Sequence, residues 1–572
     1  MRIRASANGL VVQATAGTHV VLIGMDFEEA RAGELLGFSI ERTNHATGKT
    51  YWVWNDILFP AHDAIAKAAR DAGQKPDPAL FGSDLNPFQE FLRGDYTVSP
   101  GTAYTYRVVA QGGTPEQLVP LAEASVDVTT ETVEHGDGHA VWFNRAAVSS
   151  QAYVREFENK RPDEVPDRAA YIWLSRGLEE ALLAFIGNAV DSTWQIRGSI
   201  YEFQYPAALD ALLRAHDQGA DVKVLYDDTA MKTSPAKSNE KAVAAAHIEG
   251  ITGIRSVGAT IKHNKFLVLS HGGKPVAVWT GSTNWTEAGL FGHANVGHSC
   301  WDPSIASHYR AYWDKLATNP TGAVLKPWTI HDTPIPEEDD RSPQTGVHCL
   351  FSPRPDNSAL AWYADLIRHA TAGTFIAAPF GLSGSIRDVF KEHADLLRYV
   401  LVDSETTDTV ALEVRDGHPE NQITGGAYLP ERFGQWLKEV DSQQLGITTH
   451  VVYIHTKILL INPLTDDPIV ITGSANFSDN STLHSDENML VIRGNTRVAD
   501  IYLSEYMRLF NQYRFRARLG LDPTTPGPDP TAGTTVDTTL KTTPDWAKPY
   551  YTPTDPGRFQ ERLLFSGQSL SA

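Results

Sequence analysis

Two short stretches hold the residues best able to do chemistry. The first reads His263-Asn264-Lys265, followed by Gly281-Ser282-Thr283-Asn284. The second reads His455-Thr456-Lys457, followed by Gly473-Ser474-Ala475-Asn476. In both copies the histidine and the asparagine are 21 residues apart. With each residue type at about one in twenty, five fixed matches arise by chance about once in three million starts. Finding them twice is therefore a strong signal. Each copy supplies an imidazole, an ammonium, a hydroxyl and a carboxamide, a set that suits a phosphodiester. A phosphoryl group in transfer spreads negative charge over its oxygens, and fixed donors are what stabilise it. Lys265 and Lys457 supply charge; Asn284 and Asn476 supply N–H donors without adding any. One histidine can attack phosphorus, while the other protonates the departing oxygen and then activates water. Two imidazoles cover both roles near neutral pH, so no metal or cofactor is expected.

Such residues need elements that aim them. His263–Leu269 and His455–Ile461 read as strands, whose period of two points each His and Lys to one face. Val276–Thr280 and Ile469–Thr472 read as partner strands ending at the glycines. Around them the pattern alternates helix and strand. Ala169–Asn188 is apolar at helical spacing through Leu174, Leu178, Leu182 and Ile186. Ile196–Phe203 reads as a strand, Pro206–Gln218 as a helix and Val222–Tyr226 as a strand. The same order returns about 190 residues later in Ala359–Ala370, Thr374–Ala378, Ile386–Leu397 and Tyr399–Asp403. An α/β layered architecture and an internal duplication follow, with halves at 141–330 and 345–515. Face to face, the halves would gather two His, two Lys and two Asn about one point.

The paired motifs resemble the signature of the phospholipase D superfamily, H-x-K-x4-D followed by G-S-x-N, over about residues 141–515. The resemblance implies two fused α/β/α sandwich halves sharing one site, with His263 as nucleophile and His455 as acid/base. The family Asp falls at Ser270 and Asn462, so both carboxylates are absent. In the family that Asp is largely structural, and the tyrosyl-DNA phosphodiesterase branch lacks it. A catalytic histidine needs a partner on its other nitrogen. Glu487, in Ser485-Asp486-Glu487-Asn488, is the expected orienter in the second half; Asn295 holds the same offset in the first. Ser282, Ser474, Glu487 and Asn295 are accordingly expected around the substrate.

The remaining sequence bounds the setting. The 572 residues carry a formal charge of −20, which opposes broad binding to nucleic acid and favours a phospholipid or small phosphodiester as substrate. A nuclease and a non-catalytic phosphate-binding protein are the rivals. Cys300 and Cys349 are too few for a disulfide framework or a closed zinc site. No apolar run is long enough to span a membrane, and Gly9–Met25 is too polar for a signal peptide; a cytoplasmic protein is expected. One chain supplies both halves, so a monomer suffices. Residues 1–130 read as an all-β sandwich, and "YTVSPGTAYTYRVVAQGG" resembles late strands of fibronectin type III domains, implying an accessory module. The acidic run Glu337–Asp340 reads as a linker. Residues 520–572 read as an irregular Pro/Thr-rich tail whose late aromatic residues dock on the body. Among weaker candidates, Glu202 is a minor candidate to face the groove, and Asp227-Asp228 either lines the cleft or merely caps the following segment. His135, Asp137 and His139 read as linker, and Trp285 and Phe477 as core.

Overall fold

The computed structural model describes residues 1–133, 136–146, 150–227, 236–257, 261–336, 342–402, 414, 417–425, 454–518 and 539–568. His135, Asp228 and Glu337–Asp340 lie outside them.

Among the described residues, two seven-stranded sheets carry the α/β part. The first runs, edge to edge, Thr252–Arg255, Asp221–Asp227, Trp194–Ile200, Lys265–His271, Lys274–Gly281, Val296–Cys300 and His139–Phe143. The second runs Asn421–Gly425, Arg398–Val402, Thr374–Ala377, Ile458–Ile461, Ile469–Gly473, Glu487–Arg493 and Gly346–Ser352. Strand for strand the connectivity is the same, three parallel strands followed by antiparallel ones. The central strands are buried almost end to end, as sheets covered on both faces must be.

Helices Pro303–Ala317 and Thr496–Arg518 lie between the sheets. Their Tyr309, Tyr312, Tyr502, Tyr506 and Phe510 join apolar side chains from both sheets in one central core. Leu178–Gly187 and Pro206–Asp217 cover the outer face of the first sheet. Ser358–Arg368 and Gly384–Phe390 cover that of the second. Each half is thus an α/β/α sandwich, and the inner helical layers share one core.

Several elements depart from the sequence pattern. The helix expected over Ala169–Asn188 is two, Ala169–Ser175 and Leu178–Gly187, broken where Arg176 and Gly177 take positive φ. Helical spacing survives such a break, because apolar residues on either side still face one core. The helix expected to reach Leu397 ends at Phe390. The strands expected from His263 and His455 begin at Lys265 and Ile458; ahead of them the backbone pairs with other segments, as described below.

The N-terminal segment folds as two four-stranded antiparallel sheets, around a core that includes Phe38, Phe91, Tyr104 and Tyr106. It also holds a helix, Pro60–Asp71. The tail is not irregular throughout: Pro544–Tyr551 forms a 3-10 helix and Pro556–Phe565 an α-helix. Ala547 and Tyr550 enter the sandwich core, whereas Leu564 and Phe565 enter the central core.

Candidate functional site

The site forms where the two halves exchange strand ends. The peptide after each Gly-Ser-x-Asn turn crosses to the other half and pairs with the backbone ahead of its His-x-Lys strand. Ala294 bridges Ile454, and Ser485 bridges Ile261, both in parallel. His455 N donates to Ala294 O at 2.9 Å, and Asp486 N donates to Ile261 O at 2.9 Å. This exchange is why the sheet strands start after the histidines.

It brings the motifs together. The rings of His263 and His455 lie 6.1 Å apart, centroid to centroid, at 77°. Both histidines, both lysines and Asn284 are buried, and Asn476 is half-buried. Lys265 Nζ donates to His263 O, and Lys457 Nζ to His455 O, each at 2.7 Å. Each ammonium thereby fixes the backbone of the histidine two residues before it.

The histidines are held differently, and in trans. His263 Nδ1 meets both oxygens of Glu487 at 2.9 and 3.0 Å. His455 Nδ1 meets Ser282 O at 3.0 Å and Asn295 Oδ1 at 3.1 Å. These partners are acceptors, so Nδ1 carries the proton in both rings and Nε2 is left as the basic nitrogen. Glu487, expected to serve its own half, serves the first half instead, and Asn295 serves the second. Sequence places the two residues at one offset but says nothing about which histidine each reaches.

Ser282 and Ser474, expected around the substrate, have their hydroxyls engaged within the protein. Ser282 Oγ donates to Asn295 Oδ1 at 2.7 Å and accepts from Val296 N at 3.1 Å. Ser474 Oγ accepts from Asn488 N at 3.0 Å and Asn488 Nδ2 at 3.3 Å. The preceding glycines permit this close approach. A Cβ on Gly281 would stand 2.2 Å from Val296 O, and one on Gly473 2.3 Å from Asn488 O. Asn284 Nδ2 donates to Glu202 Oε2 at 2.5 Å, which joins Glu202 to the site and leaves that amide a second N–H. Among the described residues the buried Oδ1 atoms of Asn284 and Asn476 have no partner, as expected of groups completed by a ligand or water.

Sequence reasoning missed three aromatic neighbours. Tyr201 lies 4.9 Å from the His263 ring and 5.3 Å from Lys265 Nζ. Phe380, half exposed, lies 5.9 Å from the His455 ring and 5.5 Å from Lys457 Nζ. His293 stands 6.2 Å from His455. Tyr201 and Phe380 follow the central strands Trp194–Ile200 and Thr374–Ala377, a position findable only once the duplication is aligned. Trp285 and Phe477 are core. Asp227 is buried, Asp137 pairs with Arg497 at 2.9 Å and His139 with His298 at 2.9 Å.

Burial dominates the titration. It pushes His263 down to about 4, with Lys265 adding to the effect and Glu487 opposing it. Burial, then Lys457 and Lys265, push His455 well below the usual histidine range. Both rings are neutral at pH 7, ready to accept a proton or a phosphoryl group. Burial lowers Lys265 to about 8 against the pull of Glu487 and Glu202, so it stays largely charged at pH 7.

The missing family carboxylates do not touch this machinery. Five residues of strand, about 16 Å, separate Lys265 from Ser270, whose buried Oγ has no hydrogen-bond partner among the described residues. Asn462 accepts from Thr371 N and Ala372 N at 2.8 Å each through its Oδ1, a structural duty that a carboxylate would also perform.

Paired His, Lys and Asn shared between duplicated sandwiches define a class of phosphoryl-handling proteins. The family model described as "Cardiolipin synthase, PLD-like domain" matches residues 182–317 and 400–512. That match, which covers part of each half, and the doubled motif support membership of the phospholipase D superfamily. Solved structures similar in fold include phosphatidylserine synthase from Haemophilus influenzae Rd KW20, at 11% identity and TM-score 0.42, over 59% of this chain and 84% of that one. Yeast tyrosyl-DNA phosphodiesterase matches at 13% identity and TM-score 0.29, over 54% and 85%. Polyphosphate kinase from Porphyromonas gingivalis matches at 12% identity and TM-score 0.37; this chain covers 46% of its length and 56% of its own. No curated protein matches the sequence.

Proposed function

We propose that the chain hydrolyses or transfers a phosphodiester through a covalent phosphohistidine on His263, with a phospholipid as substrate. The observation that carries the assignment is the unequal pair of orienters. The Glu487 carboxylate on His263 Nδ1 stabilises the positive ring formed when Nε2 bonds to phosphorus. His455, held only by neutral acceptors, gains no such stabilisation and serves as proton carrier. In the first step His263 Nε2 attacks phosphorus and the P–O bond to the leaving alcohol breaks; the fraction of His455 that is protonated, kept small by its burial, donates the proton to that oxygen. In the second, His455 takes a proton from water or an acceptor alcohol, whose oxygen displaces His263. Lys265, Lys457, Asn284 and Asn476 hold the phosphoryl oxygens in both steps. Ser282, Ser474 and Asn295 position these groups.

The net charge of −20 supports a lipid over a nucleic acid. Half-exposed Phe380 beside His455 offers apolar surface to a glyceride. The same ring could stack a base, so single-stranded DNA is the second reading. The purified protein, with EDTA present, is given phosphatidylcholine, phosphatidylglycerol or single-stranded DNA. Lipid turnover, loss of activity in His263→Ala, and an acid-labile phosphoenzyme trapped in His455→Ala are expected. DNA cleavage alone would replace the substrate assignment, and a phosphoenzyme in His263→Ala would reverse the histidine roles.

A further inference from the structure

Away from the catalytic pair, three potential ligand groups converge where two neighbouring strands begin. Glu420 immediately precedes strand Asn421–Gly425, His418 lies two residues before it, and His393 precedes the adjacent parallel strand Arg398–Val402. Glu420 is buried. His418 Nδ1 stands 3.2 Å from its Oε1, and His393 Nδ1 3.5 Å from the same atom. The imidazole centroids are 4.5 Å apart, and the three donor atoms all lie within 4.8 Å of one another. Among the described residues, Glu420 has no Lys or Arg nitrogen within ion-pair distance. Ala394 N donates to the same Oε1 at 3.3 Å and fixes the carboxylate's direction.

Metal bonds of about 2.0–2.1 Å in a tetrahedron place neighbouring donors about 3.3 Å apart, the spacing found between Glu420 and each histidine. We propose that His393, His418 and Glu420 bind one divalent transition metal. Two imidazoles and a carboxylate select zinc, cobalt or nickel over magnesium or calcium. Solvent completes the coordination on the side of His393, whose side chain is 81% exposed. The site lies at the opposite end of the sheet from His455, which sits beside the end of Thr374–Ala377. The metal clamps an edge strand to its neighbour and takes no part in the chemistry.

The test uses full-length protein stripped with EDTA and dialysed, then titrated with Co2+, whose visible absorption reports coordination. One equivalent is expected to bind and to be displaced by Zn2+. His393→Ala, a surface change that leaves the fold intact by circular dichroism, should weaken binding more than about 100-fold. Glu420→Gln should weaken it as well. Absence of a Co2+ spectrum, or equal binding by His393→Ala, would overturn the proposal. So would binding kept in His393→Ala but lost in His263→Ala, which would move the metal to the catalytic pair. Phosphodiester turnover in EDTA is a separate readout, and its failure would bear on the catalytic proposal alone.

Discussion

At the residue scale, the proposed chemistry rests on which partner each imidazole has. Glu487→Gln keeps the shape but removes the charge facing His263, so kcat should fall about 100- to 1000-fold. KM should change little, because the carboxylate meets His263 and Ser481 rather than the substrate. Asn295→Ala leaves His455 Nδ1 its bond to Ser282 O, and about a tenfold loss is expected. Steady-state kinetics of the two variants check the asymmetry. The pH profile is a second check. His263 must be neutral to attack, and its value of about 4 sets the acid limb of kcat/KM near there, below the ordinary histidine range. His455 must be protonated in the first step, and the burial that holds it well below the usual histidine range places the alkaline limb below that range as well. Lys265→Arg, which cannot lose its charge in this range, should leave that limb in place while lowering the plateau. The six motif residues were legible in the sequence because type and spacing repeat. The crossing of Glu487 and Asn295 was not, since residues 224 and 160 positions apart in the chain meet only after folding.

At the element scale, the Gly-Ser-x-Asn turn is a packing solution as much as a catalytic motif. Gly281 has φ of +138° and Gly473 faces Met489 as well as Asn488 O. A methyl group at either must displace the adjoining strand, which starts just after Asn295 in one half and at Glu487 in the other. Gly281→Ala and Gly473→Ala should each cost about 2–4 kcal/mol, read from urea unfolding. Activity should fall further than stability explains, because the displaced strand orients a histidine. Asn462 illustrates the converse. Asn462→Asp preserves the acceptor for Thr371 and Ala372 and should be nearly neutral, while Asn462→Ala should cost about 1–3 kcal/mol. Period-two and period-3.6 patterns revealed most of the strands and helices that carry the site. They could not reveal the break at Arg176-Gly177, because a broken helix still presents Leu174 and Leu178 to one core. Nor could they end the helix at Phe390 rather than Leu397, since Leu396 and Leu397 are buried in either arrangement.

At the scale of the whole molecule, the duplication was legible from the recurrence of elements, but the means of joining the halves was not. Besides the two bridges, Arg255 and Asp486 form an ion pair across the halves at 2.9 Å with both groups buried. Burial still lifts Asp486 to about 6 against the pull of Arg255. The tail makes a second join, between sandwich and catalytic body. Tyr550 packs against Phe91 of the sandwich at 4.7 Å with the rings tilted by 46°, and Trp546 Nε1 donates to Leu35 O at 3.1 Å. In the next helix, Arg562 pairs with Asp26, while Tyr399 of the second sheet donates to Glu561 at 2.5 Å. Phe565, 98% buried, meets the stacked rings of Phe375 and Tyr399 edge-on at 6.3 and 6.4 Å. Helix Pro556–Phe565 thus touches the sandwich with one face and the second half with the other. Composition identified its aromatic residues but could not say that they bridge two bodies. Phe565→Ala removes a side chain shared between them and should cost about 3–5 kcal/mol. If the tail couples the bodies, calorimetry should show one unfolding transition in the parent and two in the variant. Turnover per folded molecule should be unchanged, because no tail residue meets a catalytic group among the described contacts. A single transition at lower temperature would instead mean that the bodies unfold together without the tail's help.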